Sequence, residues 1–242
     1  MNPEVLLWEQ YGPLFSIEER EIYPPDTLEI RFYQNLLKKY PGKCMELGAG
    51  DGRLTGYLDD GSIALEPSSS MLNLWSQAMQ MRISRIRGIA QHIPLRNSLL
   101  DLVFFPYNGI HCILDRNERK QVFREISAVL KPGGKFIAET CPSFLIREKE
   151  INKKRYDYNE NGTSLRLVES VSHDFERCII VFDMEYSGSV TNNTKIDIRL
   201  ELALISAGDL LQDIRSEGMK IVTVWGDYDL SPWNADYSPR FL

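Results

Sequence analysis

Three glycines and two glutamates are the residues whose types and spacing most clearly indicate a chemical task. Gly48, Gly50 and Gly52 follow an apolar run in "CMELGAGDGRL", and Glu46 lies two positions ahead of the first glycine. Glu66 ends the next apolar run, "IALEP". Glycines at this density leave the backbone bare, so that a ligand can lie directly against it. We therefore expect a ligand site at this point of the chain.

The glycine spacing argues against the two common phosphate-binding loops. A P-loop requires GxxxxGK followed by Ser or Thr, and no such string occurs. A GxGxxG dinucleotide fingerprint would need a third glycine where Arg53 stands. Glu46 suits a cationic group better than a pyrophosphate, whereas Glu66 is placed to hold the two hydroxyls of a ribose. A cofactor with an amino-acid part, a ribose and no phosphate fits these features, and an NAD-linked oxidoreductase fits them poorly.

Composition and charge limit the classes of protein and partner. The 242 residues are 43% hydrophobic and 26% charged, as in ordinary globular proteins. The formal net charge of -6 argues against nucleic acid as the main partner, because phosphates require a basic face. No signal-peptide pattern and no membrane-length apolar run occur, so we expect a cytoplasmic protein without a membrane partner. The four cysteines and three histidines lack metal-site spacing, which predicts no metal.

Short apolar runs separated by helical patterns predict an α/β fold with a parallel sheet. From residue 43 the runs "KCMELGAG", "GSIALEP", "SRIRGIAQ" and "DLVFFPY" alternate with the helical stretches "GRLTGYLDD" and "SSSMLNLWSQAMQMRI". Asp115 and Glu118 form a capping-box pair at the start of the clearest helix. "KPGG" ends that helix, and "KFIAET" predicts the next strand.

Residues 143–206 predict an antiparallel layer that interrupts this α/β pattern. The three candidate strands are "SLRLVESVSHD", "RCIIVFDMEYSG" and "KIDIRLELALIS", and the first and third alternate polar with apolar residues. The charged segment "FLIREKEINKKRYDYNENGTS" precedes them and ends in a turn. Ser206 and Asp209 then begin a helix that Gly218 ends, after which "KIVTVWGDY" predicts a return to strand.

Four segments resemble successive motifs of the class I S-adenosylmethionine-dependent methyltransferases: "MELGAGDGRL", "ALEPSSSML", "DLVFFPYNGIHCIL" and "LKPGGKFIAET". "DTLEIRFYQNLL" and the antiparallel insert resemble the subgroup that acts on small amines, amino sugars, glycine-like compounds and peptide N-termini. The resemblance implies a Rossmann-like core that binds S-adenosylmethionine at residues 41–142 and 207–242. It also implies an N-terminal helical lid at residues 1–40 and an insert at residues 143–206 that shapes the substrate pocket.

The same resemblance implies the cofactor contacts. The expected residues are Glu46, Gly48, Ala49, Gly50, Glu66, Pro67, Met71, Ala90 and Gln91. In this arrangement the glycine loop lies under the methionine part and the ribose, Glu66 holds the ribose hydroxyls, and Pro67 and Met71 flank the adenine. The family's usual "GDA" reads "GIA" here. Ile89 therefore replaces the aspartate that commonly binds the adenine amine, and Gln91 or a backbone carbonyl takes that role.

The loop after the fourth apolar run contains the candidate catalytic residues, because ligands of such folds lie beyond the carboxyl ends of the strands. They are Tyr107, Asn108 and His111 in "FFPYNGIHCI", and the resemblance places this loop beside the transferred methyl group. Asn108 could orient the nucleophile, and Tyr107 or His111 could accept a hydrogen bond or a proton. The alternatives are that Tyr107 is a pocket wall and that His111 is a satisfied histidine at a helix start.

Aromatic residues near the N-terminus are the first candidates for substrate binding. Trp8, Tyr11 and Phe15 follow i, i+3, i+7 spacing and share one helical face. They are either core residues or the inner face of a lid, over which a cationic amine would gain cation–π attraction. The complete candidate set for the substrate is Trp8, Tyr11, Phe15, Tyr33, Tyr156 and Arg166.

The predicted activity is metal-independent methylation of an amine nitrogen in a small molecule or peptide, with S-adenosylhomocysteine as the second product. The cofactor carries the reactivity, and the protein has to place a lone pair in line with the methyl group. An O-methyltransferase of a small metabolite and a non-catalytic regulator that binds the cofactor are the open alternatives. "YSPRFL" stops before the family's last strand usually ends, so we expect a clipped C-terminus. The sequence leaves the acceptor and the oligomeric state open.

Overall fold

Two β-sheets and a set of helices make up residues 3–24, 26–141 and 147–242, which the computed structural model describes. The helices are α1 (Pro3–Ile17), α2 (Thr27–Lys39), α3 (Ser69–Leu72), α4 (Gln77–Arg82), α5 (Arg116–Val129) and α6 (Ala207–Ser216). The strands of the first sheet are β1 (Cys44–Leu47), β2 (Ile63–Glu66), β3 (Ser84–Arg87), β4 (Leu100–Phe105) and β5 (Leu130–Ala138). Those of the second are β6 (Glu150–Glu160), β7 (Thr163–Asp174), β8 (Ile179–Ser187) and β9 (Ile196–Ala203).

The first sheet is parallel, with strand order β3-β2-β1-β4-β5, and it confirms the predicted α/β fold. Every residue of β1 and β2 is buried, as expected of parallel strands that are covered on both faces. The strand order reverses between β1 and β4. In open α/β sheets the crevice outside the carboxyl ends of such a pair is where ligands bind.

The second sheet is an antiparallel meander with the order β6-β7-β8-β9. It confirms the predicted inserted layer but contains one strand more than the three expected. The additional strand, β6, comes from the charged segment "EINKKRYDYNE". Its residues are mostly exposed, because β6 is an edge strand with a single neighbour. An exposed edge does not need apolar alternation, so the pattern that revealed the other strands is missing here.

The stretch "GRLTGYLDD" does not form the predicted helix. It contains a tight turn and a single 3₁₀ turn, Thr55–Tyr57. Gly52 at its start has a φ of +82°, a conformation that a right-handed helix cannot include. The next predicted helix is split into the short α3 and α4, and the Ser76 side chain caps the second of them by accepting from the Met79 N–H at 3.2 Å.

The expected strand "KIVTVWGDY" is also not formed. Residues 219–224 run beside β5, but no backbone hydrogen bond joins these two described segments. A groove with about 1830 Å³ of empty space, including the part open to solvent, separates them. The expected ladder between this segment and β5 is therefore absent from the described residues. Near the chain end, Thr140 and Phe241 form an antiparallel bridge, and Trp225 exchanges two 3.0 Å hydrogen bonds with Leu242.

The N-terminal helix α1 contacts both the antiparallel sheet and α3. Tyr11 and Leu14 of α1 pack with the inner face of the antiparallel sheet, which includes Leu165 and Leu167. On the other side, Gly12 faces Met71 so closely that a Cβ at Gly12 would lie 2.6 Å from the Met71 Sδ. A π-helical turn, Glu18–Ile22, follows α1. None of the described helices has the length and apolar character needed to cross a bilayer.

Candidate active site

A cavity lies at the carboxyl ends of β1, β2 and β4 and is covered on one side by α1. Its empty space, including the part open to solvent, is about 1120 Å³. Every residue expected to contact the cofactor lines it: Glu46, Gly48, Ala49, Gly50, Glu66, Pro67, Met71, Ala90 and Gln91. Ile89 lines it as well, where the resemblance leads one to expect an aspartate.

The glycine loop after β1 presents bare backbone to this cavity. Gly48 and Gly50 have φ values of +65° and +57°, a left-handed conformation that favours glycine. A Cβ at Gly50 would lie 3.1 Å from the Met71 Cε, so a side chain there would crowd the cavity wall. The Trp75 indole N–H donates to the Gly50 carbonyl at 2.9 Å. The loop is thus held rigidly in a shape that lets a ligand approach its backbone.

Glu66, at the end of β2, combines burial with two backbone donors. One carboxylate oxygen accepts from the Gly50 N–H at 2.8 Å, and the other accepts from the Ser68 N–H at 2.8 Å. Burial raises the pKa of Glu66 to about 7, against the lowering effect of these two hydrogen bonds. Each oxygen keeps a further lone pair. Two adjacent acceptors at the cavity wall fit the vicinal hydroxyls of a ribose.

Glu46, at the end of β1, is a buried carboxyl group that also lines the cavity. Burial raises its pKa to about 8, while a hydrogen bond from the Thr55 hydroxyl and the nearby charge of Arg53 act in the opposite direction. A cationic group in the cavity would favour the ionised form of Glu46. The position therefore fits the ammonium end of an amino-acid moiety.

Sequence reasoning missed a charged cluster around Arg53 at one end of the cavity. The Arg53 guanidinium donates to both Glu29 oxygens, at 2.6 and 2.7 Å, and its Nε lies 3.3 Å from Glu19. It also lies over the Tyr107 ring, 4.9 Å from the ring centroid. In the sequence, Arg53 is notable only because it stands where GxGxxG would have its third glycine. The acids come from the π-helical turn and from α2, which local spacing does not connect to the glycine loop.

The loop after β4 holds two of the three candidate catalytic residues in an unusual backbone conformation. Tyr107 and Asn108 have φ values of 57° and 61°, which are uncommon for non-glycine residues. The Asn108 side-chain oxygen accepts from the Cys141 N–H at 2.7 Å, so this side chain ties the loop to the end of β5. Asn108 is not part of the cavity wall, whereas Tyr107 is, and the Tyr107 hydroxyl donates to Glu19 at 3.0 Å.

His111 is placed outside the cavity wall. Its Nδ1 donates to the Ala203 carbonyl at 2.7 Å, which links the loop after β4 to β9. Burial lowers the pKa of His111 to about 4. Its Nε2 is buried and has no hydrogen-bond partner among the described residues. This placement favours a structural role for His111 over a role as proton acceptor.

The aromatic residues of α1 divide between two environments. The rings of Trp8, Tyr11 and Phe15 contact one another with centroid distances of 5.2 to 5.6 Å. Trp8 and Phe15 line the cavity, whereas the Tyr11 hydroxyl points to Glu18 at 3.3 Å. The Tyr156 hydroxyl, on β6, donates to the same carboxylate, Glu18, at 2.6 Å. Burial raises the pKa of Glu18, although hydrogen bonds from the hydroxyls of Tyr156, Tyr186 and Tyr11 oppose this shift.

Besides Tyr11 and Tyr156, which do not line the cavity, two further candidate substrate residues lie away from it. The Tyr33 hydroxyl donates to Glu139 at 2.6 Å, and its ring packs against Phe104, so Tyr33 belongs to the core between α2 and the parallel sheet. Arg166 is exposed on β7, on the face opposite the buried Leu165 and Leu167. Neither side chain lines the cavity.

Polar contacts fasten α1 and the π-helical turn to the two segments that form the cavity. Asp51 of the glycine loop accepts from the Ser16 hydroxyl and from the Arg20 Nε, both at 2.5 Å. Glu9 accepts from the Ser69 and Ser70 N–H groups at 2.8 Å, directly after β2. Hydrogen bonding, first from the Ser70 hydroxyl, holds the pKa of Glu9 down to about 2. The described residues contain no cluster of side chains that could hold a metal ion.

Comparison with protein families gives a match to the core of the chain. Residues 45–138 match the family model described as a methyltransferase domain. These residues include β1 to β5 up to Ala138, and with them the glycine loop, Glu66 and the loop after β4. A comparison with curated protein sequences finds no match.

Solved structures match nearly the whole chain at low sequence identity. The CcbJ methyltransferase from Streptomyces caelestis is 17% identical with a TM-score of 0.79, and the match covers 98% of this chain and 96% of that one. The sugar N-methyltransferase KedS8 from Streptoalloteichus is 13% identical with a TM-score of 0.72, covering 94% and 90%. CalS10 from Micromonospora echinaspora, an amino pentose methyltransferase with bound S-adenosylmethionine, is 13% identical with a TM-score of 0.70, covering 94% of each chain.

The parallel sheet, the glycine loop and the methyltransferase-domain match define the class of the protein. It is an S-adenosylmethionine-dependent methyltransferase with the class I, Rossmann-like fold. Its cofactor is S-adenosylmethionine. The observed cavity fits this molecule, because it offers bare backbone, a pair of acceptors for a ribose and a carboxyl group for an ammonium.

Proposed function

We propose that the protein transfers the methyl group of S-adenosylmethionine to an amine nitrogen of a small molecule or peptide. The observation that carries this proposal is an excess of buried carboxyl groups around the cavity. Among the described residues, Glu46 and Glu66 are assigned to the cofactor. The carboxyl groups that remain are those of Glu19, Glu29 and Asp51, and the guanidiniums of Arg20 and Arg53 face them, which leaves one carboxyl group in excess for the acceptor. Negative charge at low dielectric attracts cations. A protonated amine is such a ligand, whereas a neutral hydroxyl compound is not.

Aromatic rings at the cavity support the same substrate class. Trp8, Phe15 and Tyr107 line it, and the rings of Phe15 and Tyr107 lie 6.3 Å apart in an edge-to-face arrangement. A cation beside such rings gains on the order of 1 kcal/mol or more when water is excluded. The rings also form an apolar wall, which favours the exclusion of water during methyl transfer.

The proposal gives each group a limited task. When bound, S-adenosylmethionine supplies an electrophilic methyl group, and the displaced electron pair goes to sulfur. Glu66 holds the ribose, Glu46 holds the ammonium of the methionine part, and the glycine loop supports both. Trp8 and Phe15 position the acceptor. Holding two reactants in line converts a bimolecular encounter into an intramolecular step, which is a major source of rate enhancement.

The same proposal assigns roles to the parts of the chain. Residues 1–40 act as the lid, residues 41–142 and 207–242 bind the cofactor, and residues 143–206 shape the acceptor pocket. Glu18 supports a shared role of lid and insert, because it accepts from Tyr156 and also from Tyr186 at 2.9 Å. The proposed boundary between residues 142 and 143 lies outside the described residues.

The structural neighbours support nitrogen as the target. KedS8 is a sugar N-methyltransferase and CalS10 an amino pentose methyltransferase. Both share the fold over more than nine tenths of this chain. Amino sugars are therefore the first class of acceptor to test, followed by other small amines and by peptide N-termini.

The test is transfer of label from methyl-labelled S-adenosylmethionine. The purified protein is incubated with an extract of its source and, separately, with amino sugars, alkylamines, short peptides and the matching hydroxyl compounds. We expect label on nitrogen of a small molecule or peptide. Gly50→Arg should abolish transfer, because its side chain would enter the cavity, whereas Gly208→Ala in α6 should retain it.

Other outcomes would redirect the proposal. Label on oxygen alone would replace the amine with a hydroxyl or carboxylate acceptor. Label in nucleic acid or large proteins would keep the fold and contradict the substrate class. Binding of S-adenosylhomocysteine without transfer to any compound would contradict the catalytic role altogether.

A further inference from the structure

We infer that Glu19, on the π-helical turn that follows α1, receives the proton that the amine acceptor must lose, and that the Tyr107 hydroxyl passes this proton to it. This inference rests on the proposed function. It adds a task for the N-terminal segment beyond covering the cavity, because Glu19 acts on the acceptor through another side chain. Glu19 is thus a positioning residue that also stores a proton.

The geometry forms a continuous path from the cavity to Glu19. The Tyr107 ring lines the cavity next to Phe15, and about two fifths of the Tyr107 surface is exposed. Its hydroxyl donates to the Glu19 Oε1 at 3.0 Å. Glu19 itself is only 4% exposed. A phenol oxygen can accept a hydrogen bond while it donates one, so Tyr107 can contact an amine and Glu19 simultaneously.

The neighbours of Glu19 allow it to change charge. The Arg53 Nε faces the second Glu19 oxygen at 3.3 Å, and Glu29 from α2 neutralises Arg53 through two hydrogen bonds. Arg53 therefore stays paired when Glu19 becomes protonated. Glu18, on the same turn, is a further charged neighbour, and Tyr11 and Tyr23 are titratable groups that interact with Glu19. Burial raises the pKa of Glu19 to about 7, opposed mainly by Arg53, so both protonation states are accessible near neutral pH.

The proton balance is simple. An ammonium N–H bond breaks as its proton moves to the Tyr107 oxygen, and the proton already on Tyr107 moves to the Glu19 Oε1. The amine gains a free electron pair, Tyr107 stays neutral, and Glu19 becomes a neutral acid. The N–C bond then forms as the C–S bond breaks, with the electron pair leaving on sulfur. No free phenolate is formed, which agrees with the rise in the Tyr107 pKa caused by its burial and by Glu19.

The other groups near the loop after β4 are occupied elsewhere. His111 lies outside the cavity wall and donates to the Ala203 carbonyl. The Asn108 side chain accepts from the Cys141 backbone. Of the three candidate catalytic residues, Tyr107 is the one that lines the cavity, and its hydroxyl leads to Glu19.

The test compares two amines of the same shape but different basicity. Benzylamine is protonated at neutral pH, whereas O-benzylhydroxylamine is neutral and has no proton to lose. Transfer to each is measured from about pH 6 to pH 10 with the wild type, Glu19→Gln, Tyr107→Phe and their combination. Glutamine can still accept from Tyr107 but cannot take a proton. Glu21→Gln, on the same turn and exposed, is the matched control.

We expect Glu19→Gln to lower kcat/KM for benzylamine on the order of 100-fold at neutral pH. The defect should shrink about tenfold per pH unit as the pH approaches the pKa of the free amine, because solvent then removes the proton. With O-benzylhydroxylamine the variant should stay within about threefold of the wild type. Tyr107→Phe and the double variant should show the same pattern without further loss. Affinity for S-adenosylhomocysteine, measured by calorimetry, should be retained in all of them.

The outcomes separate this inference from the proposed function. Equal defects with both amines at every pH would indicate a structural role for Glu19 and overturn the relay, as would the absence of any defect. In both cases the wild type still methylates nitrogen, so the proposed function stands. A wild type that methylates neither amine, nor any amine in the extract experiment, overturns the proposed function and this inference together.

Discussion

Carboxyl groups that the fold removes from water dominate the site at the scale of single residues. Glu19, Glu46 and Glu66 are each less than 5% exposed, and burial raises the pKa of all three. In every case a hydrogen-bond donor opposes the effect of burial: Tyr107, Thr55 and the backbone of Gly50 and Ser68, respectively. Such groups are costly to keep near a cavity unless a ligand compensates them. Their concentration here is what indicates a cationic ligand.

The proposed ribose role of Glu66 gives a direct prediction. Glu66→Gln should weaken S-adenosylhomocysteine binding by about 10- to 100-fold, because charge-assisted hydrogen bonds contribute about 1.5 to 3 kcal/mol. Isothermal titration calorimetry measures this change. The control is Asp60→Asn, which removes an exposed carboxylate that pairs with Arg82. An unchanged affinity in Glu66→Gln, with the control also unchanged, would refute the assignment.

All the residues predicted for the cofactor line the cavity, whereas only Trp8 and Phe15 of those predicted for the acceptor do so. Strand ends of a parallel sheet converge, so motifs that follow β1 and β2 necessarily meet, and the resemblance could be carried over residue by residue. Glu19 and Arg53 could not be paired in this way. Their contact depends on how the N-terminal segment docks on the core, and no local spacing encodes that arrangement. Tyr33 and Glu139 are 106 positions apart in the chain, so their hydrogen bond is visible only in the three-dimensional structure.

At the scale of elements, α1 is fastened to the two segments that also form the cofactor side of the cavity. Its contacts reach the glycine loop through Asp51 and the start of α3 through Glu9 and Gly12. Met71 lies between α1 and the glycine loop, because a Cβ at Gly12 or at Gly50 would crowd it from opposite sides. A change in the packing of α1 should therefore change the affinity for the cofactor.

Gly12→Ala tests this coupling. Helix propensity alone predicts that alanine stabilises α1 by about 1 kcal/mol. The new Cβ would instead meet the Met71 Sδ at 2.6 Å and push that side chain toward the cavity. We expect the affinity for S-adenosylhomocysteine to fall about tenfold, as for an overpacked site. Met71→Ala removes the crowded side chain, so Gly12→Ala should cause no further loss of affinity when it is added to Met71→Ala.

The matched control for this variant is Gly208→Ala in α6. A Cβ at Gly208 would have its nearest neighbour, the Ser206 Oγ, at an ordinary 3.8 Å. The control should therefore leave cofactor affinity unchanged. If Gly12→Ala behaves like the control in calorimetry, the packing of α1 on Met71 does not influence the cavity.

Element prediction succeeded where a hydrophobic pattern existed and failed where glycine or exposure removed it. The helix at Arg116–Val129 has the expected cap, because Asp115 accepts from the Asn117 and Glu118 N–H groups. The Glu118 carboxylate does not complete the capping box and accepts from the Gln91 side chain at 3.0 Å instead. The edge strand β6 was missed, because it buries too little to need apolar residues. The stretch after the glycine loop has a helical pattern in sequence, but Gly52 begins it in a left-handed conformation.

At the scale of the whole molecule, the buried carboxyl groups link stability to pH. The pKa values of Glu19, Glu46 and Glu66 lie at about 7, 8 and 7 in the folded protein, above the ordinary value of 4.5. The folded state therefore binds more protons than the unfolded state between about pH 4.5 and pH 8. Their contribution to stability is fully present below pH 4.5 and is lost as the pH rises through the folded values.

The unfolding free energy of the ligand-free protein should therefore fall by roughly a few kcal/mol as the pH rises from 5.5 to 8. Urea denaturation at both pH values measures this difference. Glu46→Gln imitates the protonated acid. The variant should therefore show a weaker dependence of the unfolding free energy on pH, and its stability relative to the wild type should be greater at pH 8 than at pH 5.5. A free energy that rises over this interval, or a slope that Glu46→Gln leaves unaltered, would contradict the prediction.

The open side of the parallel sheet has a consequence for the protein in concentrated solution. Over most of its length the outer edge of β5 has no hydrogen-bonded neighbour among the described residues, since the groove separates it from residues 219–224. Unpaired strand edges can template addition of a foreign strand. Lys131, Pro132 and Lys135 lie on this strand, and charge and proline are the features that discourage such pairing. The resistance of the protein to aggregation at high concentration would thus depend on these few residues, which do not line the cavity.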